Sequence, residues 1–191
     1  MRLNKARISR VEDGELTAAQ SELLKAFNEE VRNLGLFRTM LRSTDATKAL
    51  LPWANYIQSK NDLPPREKEI LVLRTSYLCL SGYEWSHHSR LGRQAGLTGA
   101  EIGALKKPAE SHDWSPADRA LIDACDELVR NHHICAKTWA SLSQRLSEKQ
   151  LMDLVFTVGQ YTQVAMIVNA FGVQIDAIAV GDSDIAKFED A

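Results

Sequence analysis

Glu69-Ile70-Leu71-Val72-Leu73-Arg74-Thr75-Ser76-Tyr77-Leu78-Cys79-Leu80-Ser81-Gly82-Tyr83-Glu84-Trp85-Ser86-His87-His88 is the stretch on which the fold turns. Pro64-Pro65-Arg66-Glu67 stands just ahead of it. Proline suits the first turn of a helix, and an acidic residue suits the positive end of the helix dipole. The apolar run from Ile70 therefore reads as a helix. Ser81-Gly82 are weak helix formers and predict an interruption. A second helix is expected from near Tyr83 toward Ala95-Gly96.

Start signals recur on both sides of this stretch. Thr17 and Gln20 have capping-box spacing, with Leu23, Leu24, Phe27, Val31 and Leu34 following at helical spacing and Gly35 as the stop. A further helix should start near Ser43 or Thr44 and carry Leu50, Leu51, Ala54 and Ile57, with Pro52 predicting a kink or an early end. Thr98 and Glu101 cap a short helix, and Ser115, Pro116 and Asp118 open another. Ser147 and Gln150 cap the last long one. Its Leu151, Leu154, Val155, Val158, Ala165, Val168 and Phe171 are apolar around much of the circumference, as for a core helix or a subunit interface. No segment shows two-residue alternation bounded by hairpin turns. The expected class is all-α, a helical bundle of packed hairpins, in a single domain over 1–191. The segment from Gly181-Asp182-Ser183-Asp184 to Ala191 is expected to fray.

The 191 residues carry 23 basic and 25 acidic side chains, a formal net charge of -2, and 45% hydrophobic residues. That balance gives no broad basic field, which argues against nucleic acid as a partner. No stretch approaches the roughly 20 apolar residues of a membrane span. Met1 to Arg7 is basic without an apolar segment behind it and does not read as a secretory signal, so a cytoplasmic location is expected. Cys79, Cys125 and Cys135 form no Cys-x-x-Cys pair and read as reduced thiols.

Glu84 and His88 are four apart and share one helix face, which continues through Leu91 and Ala95, while Arg90 and Arg93 fall away from it. Burial raises a carboxyl pKa and a neighbouring imidazolium lowers it. A sheltered Glu–His pair can thus hold a proton near neutral pH and pass it on. The same spacing also serves structural pairs. His87 points about one hundred degrees away and is expected behind the pair or exposed. His132-His133 with Cys135 offers soft ligands but also suits a helix end, and no complete ligand spacing for a metal appears.

These residues resemble the carboxymuconolactone decarboxylase and alkylhydroperoxidase-D-like (AhpD-like) family. The likeness is carried by Arg66-Glu67-x-Glu69-Ile70, Arg74, Tyr83-Glu84-Trp85-x-x-His88-x-x-x-Gly92 and Ala95-Gly96-Leu97. It is good over about residues 50–110, with the signature at about 65–105, and looser from Trp114 to Asp176. Residues 1–50 form an N-terminal helical extension. The resemblance implies an AhpD-like helical bundle, assembly into homotrimers or homohexamers, and a site beside the motif helix.

The family's peroxidase branch uses a Cys-x-x-Cys pair, and Ser81 and Glu84 stand at those positions here, with Tyr83 at the assisting histidine. A thiol peroxidase mechanism is therefore disfavoured. The decarboxylase branch implies no metal and no organic cofactor. On that branch His88 is the general acid/base, Glu84 orients it, and Glu69 is a second proton-transfer group. Arg74 is expected to pair with a substrate carboxylate through its planar fork. Tyr83, Trp85 and His87 are expected to line the pocket. The expected activity is that of a cofactor-independent lyase, or a related isomerase or hydratase, acting on a small organic acid, lactone or aromatic-derived compound. The alternatives are a thiol-dependent oxidoreductase and a non-catalytic oligomeric binding protein.

Overall fold

The computed structural model of the chain describes residues 3–177. In order the helices are α1 (Ala18–Leu24), α2 (Glu29–Arg32), α3 (Gly35–Met40), α4 (Thr44–Ser59), α5 (Pro65–Leu78), α6 (Gly82–Gln94), α7 (Gly99–Ala104), α8 (Pro116–Asn131), α9 (Ala136–Ser143) and α10 (Glu148–Phe171), and no strand occurs among the described residues. The protein is all-α. The frayed tail expected from Gly181 lies outside the described residues.

Helix α5 is the axis of the fold. Every side chain from Glu69 to Ser76 is buried, because α6, α8 and α10 pack around it. Its apolar residues join α7, α8 and α10 in one core that includes Leu71, Leu73, Trp85, Leu121 and Leu154. A helix buried around its whole circumference is stable only when its neighbours enclose it in this way and its polar side chains find partners.

The break before α6 is a Schellman turn. Ser81 N donates to Ser76 O at 2.8 Å and Leu80 N to Tyr77 O at 3.0 Å. The residue forced into the left-handed region is Leu80, at φ 53°. Gly82 already lies within α6, and Ser81 caps it by accepting from Glu84 N. The interruption thus falls where Ser81-Gly82 predicted it, but leucine bears the strain that glycine usually relieves.

The capping boxes at Thr17, Thr98 and Ser147 all form. The helix expected to run from Thr17 to Gly35 does not. Asn28 caps a new helix through Val31 N, and Gly35 begins α3 rather than ending a helix. A Cβ on Gly35 would meet Val173 Cγ1 at 3.2 Å and Asp176 Oδ1 at 3.3 Å. This glycine therefore serves close approach of the chain's C-terminal segment. Helix α4 runs through Pro52 to Ser59. Pro52 is exposed, so water can satisfy the carbonyl its missing N–H leaves unpaired.

The two ends of the described chain meet. Arg7 N and Ile8 N donate to Phe171 O at 2.8 and 3.2 Å. Gly172 turns back at φ 68°, where a Cβ would lie 2.8 Å from Lys5 O. Arg38 on α3 pairs with Asp13 at 2.7 Å and fixes the N-terminal arm.

One expectation needs correction. By length and composition α10 is apolar enough to cross a membrane, with mean hydropathy 1.3 over an 18-residue window. It packs on α4, α5, α6, α8 and α9 instead, and 56% of that window is buried within the fold.

Candidate active site

Helices α5 and α6 bring Glu69, Glu84 and His88 together beneath α10. All three are about 5% exposed. Glu69 Oε2 lies 2.8 Å from His88 Nδ1, a hydrogen bond. Glu84 Oε2 lies 3.7 Å from His88 Nε2, too far for one. The roles expected from spacing are therefore exchanged. Glu69 fixes the imidazole ring, and Glu84 faces its other nitrogen across a gap. A turn of helix separates Glu84 from His88, but that turn aims their heads past each other. The crossing of α5 and α6 supplies the hydrogen bond.

Tyr161 of α10 completes the cluster. Its ring meets the His88 ring edge-on, with centroids 4.9 Å apart and planes at 86°. Its hydroxyl accepts a hydrogen bond from Gln58 Nε2 of α4. Burial first, then the charges of Glu84 and Glu69, raise its pKa well above the ordinary phenol value, so Tyr161 is a neutral phenol. Sequence reading missed both Tyr161 and Gln58. A signal existed, since Asp153, Thr157, Gln160 and Tyr161 form a buried polar stripe at helical spacing on an otherwise apolar α10.

Burial disfavours the His88 imidazolium, but the charge and hydrogen bond of Glu69 and the charge of Glu84 outweigh it. The net effect raises the His88 pKa above 6.5. Burial pushes the Glu84 carboxyl up as well, only partly offset by His88 and His87. One imidazole between two buried carboxyls is thus a store for a proton at neutral pH.

For a carboxyl with a raised folded-state pKa, the two states differ little below the unfolded value, and folding is penalised once pH exceeds it. Glu84→Gln should therefore be more stable than wild type at neutral pH, with a higher Tm. The gain should vanish below the ordinary carboxylate range. Thermal melts across pH check both the sign and its disappearance.

The remaining predicted residues lie elsewhere. Tyr83 Oη donates to Asp176 Oδ2 at 2.6 Å and accepts from Leu36 N at 3.2 Å. His87 Nε2 sits 3.1 Å from the same carboxylate oxygen, and Gly35 N donates to Oδ1 at 2.9 Å. His87 is buried rather than exposed, and with Tyr83 it anchors the C-terminal segment to α3 and α6. Burial opposes ionisation of Asp176, but His87, Tyr83 and the Gly35 amide hold its carboxyl below the ordinary value. Trp85 is fully buried in the main core, edge-on to Tyr77 at 6.5 Å.

Arg74 is not directed at this cluster. Its Nε and Nη2 bind Asp126 at 2.6 and 2.8 Å. Its Nη1 donates to Leu105 O and Lys107 O, both at 2.7 Å. The fork is engaged within the protein, tying α5 to α8 and to the loop after α7. Among the thiols, Cys125 is buried and pushed up to about 12 by burial, Cys79 is half-buried and Cys135 is exposed. His132 closes α8 in the left-handed conformation.

Residues 44–127 match the family model described as the carboxymuconolactone decarboxylase family. No curated protein matches the sequence. Among solved structures, an uncharacterized peroxidase-related protein from Silicibacter sp. TM1040 has a TM-score of 0.75 at 14% identity, covering 94% of this chain and 98% of that one. A second peroxidase-related protein, from Ralstonia eutropha JMP134 and described as an alkylhydroperoxidase AhpD core, has a TM-score of 0.72 at 16% identity, covering 92% and 96%. A variant of the debrominase Bmp8, in complex with 2,3,4-tribromopyrrole, has a TM-score of 0.71 at 16% identity, covering 97% and 99%. At these identities the likeness is one of fold. The α5–α6 pair that holds Glu69, Glu84 and His88 falls inside the matched segment, so this AhpD-like helical chain is similar to the carboxymuconolactone decarboxylase family over residues 44–127, the stretch that carries the cluster.

Proposed function

We propose that the chain is a cofactor-independent acid–base enzyme acting on a small carboxylated or lactone compound, with His88 as the proton-transferring group. The observation that carries this reading is the His88 imidazole, hydrogen-bonded to Glu69 at one nitrogen and facing Glu84 at the other without a hydrogen bond. Nε2, with no hydrogen-bond partner among the described residues, is thus the nitrogen that would carry the transferable proton. In a decarboxylation, the bond from carbon to the leaving carboxylate breaks and its electron pair moves into the adjoining carbonyl. His88 then delivers a proton to that carbon. Glu69 holds the ring in line and stabilises the imidazolium, and Glu84 receives or returns a proton at Nε2. The Tyr161 phenol shields the ring from water.

The peroxidase-related names of the structural neighbours keep a thiol reading on the bench. No pair of thiols stands at the motif positions, and the Cys125 thiol is far from reactive. The experiment is a turnover screen of the purified chain against small lactones and carboxylic acids, followed by ultraviolet absorbance and carbon dioxide release. Peroxide with a dithiol reductant is run in parallel. Turnover of an acid or lactone, lost in His88→Asn, is expected. Peroxide turnover lost in Cys79→Ser and retained in His88→Asn would replace this reading with the thiol one.

A further inference from the structure

Two buried carboxyls are a poor host for an anion. Glu69 and Glu84 are each 5% exposed beside His88, so an entering carboxylate meets like charge in surroundings that screen it weakly. Such a substrate needs a cation at the site. Helix α5 carries three basic residues, Arg66, Lys68 and Arg74. Arg74 is committed to Asp126 and two carbonyl oxygens, and Arg66 to Glu101 and Asp118.

Lys68 differs from both. Among the described residues its polar contact is a single hydrogen bond, from Nζ to Gln58 O at 3.0 Å. It stands next to Glu69 and one helical turn before Val72, which packs with Ile57 and Tyr161. The Gln58 side chain donates to the Tyr161 hydroxyl, the Tyr161 ring meets the His88 ring, and His88 is bonded to Glu69. Lys68, Gln58, Tyr161, His88 and Glu69 therefore form a closed circuit of neighbours. Burial changes around it. Glu69, His88 and Tyr161 are buried, Lys68 is half-buried and Gln58 is exposed. The cluster thus meets water near the C-terminal end of α4, beside Lys68. Besides burial, the charges felt at His88 are those of Glu69 and Glu84, which raise its pKa, and of Lys68, which lowers it.

An ammonium has three donors. One goes to Gln58 O and two remain. Partial burial strips water from Nζ and strengthens a charge-assisted bond to an incoming acceptor. We infer that Lys68 recognises the substrate carboxylate, holding it at the mouth of the cluster beside Gln58 while the rest of the molecule reaches toward His88. The assignment rests on the acid–base reading above, which supplies the carboxylated substrate. The bond to Gln58 O also serves the end of α4, whose last carbonyls lack helical partners, so binding and stability are measured separately.

The probe is paraconate, a small lactone carboxylate, with its uncharged methyl ester as control. Calorimetric titration of the full chain reads affinity, nitrogen-15 NMR of the His88 ring reads location, and thermal melts read stability. Wild type should bind the acid, shift the His88 signals, and bind the ester at least about tenfold more weakly. Lys68→Met should weaken the acid by about 10–100-fold and leave the ester unchanged. Lys68→Arg should restore most of the affinity. His88→Asn should still bind the acid. A chain that binds with this charge selectivity but turns nothing over therefore loses the acid–base reading and keeps the Lys68 assignment. No binding of paraconate by wild type, equal affinity for acid and ester, or binding that leaves the His88 signals in place overturns it. So does unchanged affinity in Lys68→Met, whatever its melting temperature.

Discussion

Arg74→Met should lower the melting temperature by about 6–12 °C, the loss expected from about 3 kcal/mol in a chain of this length. Arg74 is 2% exposed, and it satisfies Asp126 and two carbonyl oxygens at once. Removing it strands all of these acceptors. A half-satisfied buried network costs more than an apolar one of the same shape. Asp126 is 22% exposed and also lies 3.5 Å from Arg130, so the loss sits at the low end of the range for a broken buried pair. The double variant Arg74→Met, Asp126→Leu should recover a good part of it. If Arg74→Met melts like wild type but loses affinity for an acidic substrate, the guanidinium serves the ligand after all.

His88→Asn should lower kcat/KM by about 10²–10⁴, the range for removing a positioned general acid or base. The effect should fall on kcat, because the proton moves in the transition state rather than on binding. Glu69→Gln should lose activity by a smaller factor, since the amide still reaches Nδ1 but no longer supplies charge. The wild-type rate should fall as pH rises through the His88 pKa, which lies above its ordinary 6.5, because the acid form carries the proton to carbon. In Glu69→Gln that limb should move to lower pH. Unchanged kcat in His88→Asn, once a substrate is in hand, would remove this residue from the chemistry.

How much of this was legible in the sequence depends on distance along the chain. Capping boxes at Thr17, Thr98 and Ser147 are local, and all three form as spaced. The common face of Glu84 and His88 follows from helix geometry alone, and both are buried together. The hydrogen bond from Glu69 spans 19 positions. Only the way α5 crosses α6 decides it, so spacing favoured Glu84 for the orienting role. Arg74 was misread for a related reason. Its residue type announces a fork that seeks a carboxylate, yet does not say that Asp126, 52 residues on, provides it. Asp176 lies 89 positions from His87 and Gln58 lies 103 from Tyr161. Nothing local points to either contact. The apparent helix stop at Gly35 failed because glycine has two uses, and close approach of Asp176 was the one in play.

The central claim is that two buried carboxyls hold a proton on His88. The most direct measurement is the His88 imidazole titration, followed by nitrogen-15 NMR and assigned by loss of the signal in His88→Asn. The account predicts a midpoint above the ordinary histidine value in wild type. It predicts a drop below that value in Glu69→Gln, where burial acts with less opposition. A wild-type midpoint at or below the ordinary value, or one that Glu69→Gln leaves in place, would contradict it.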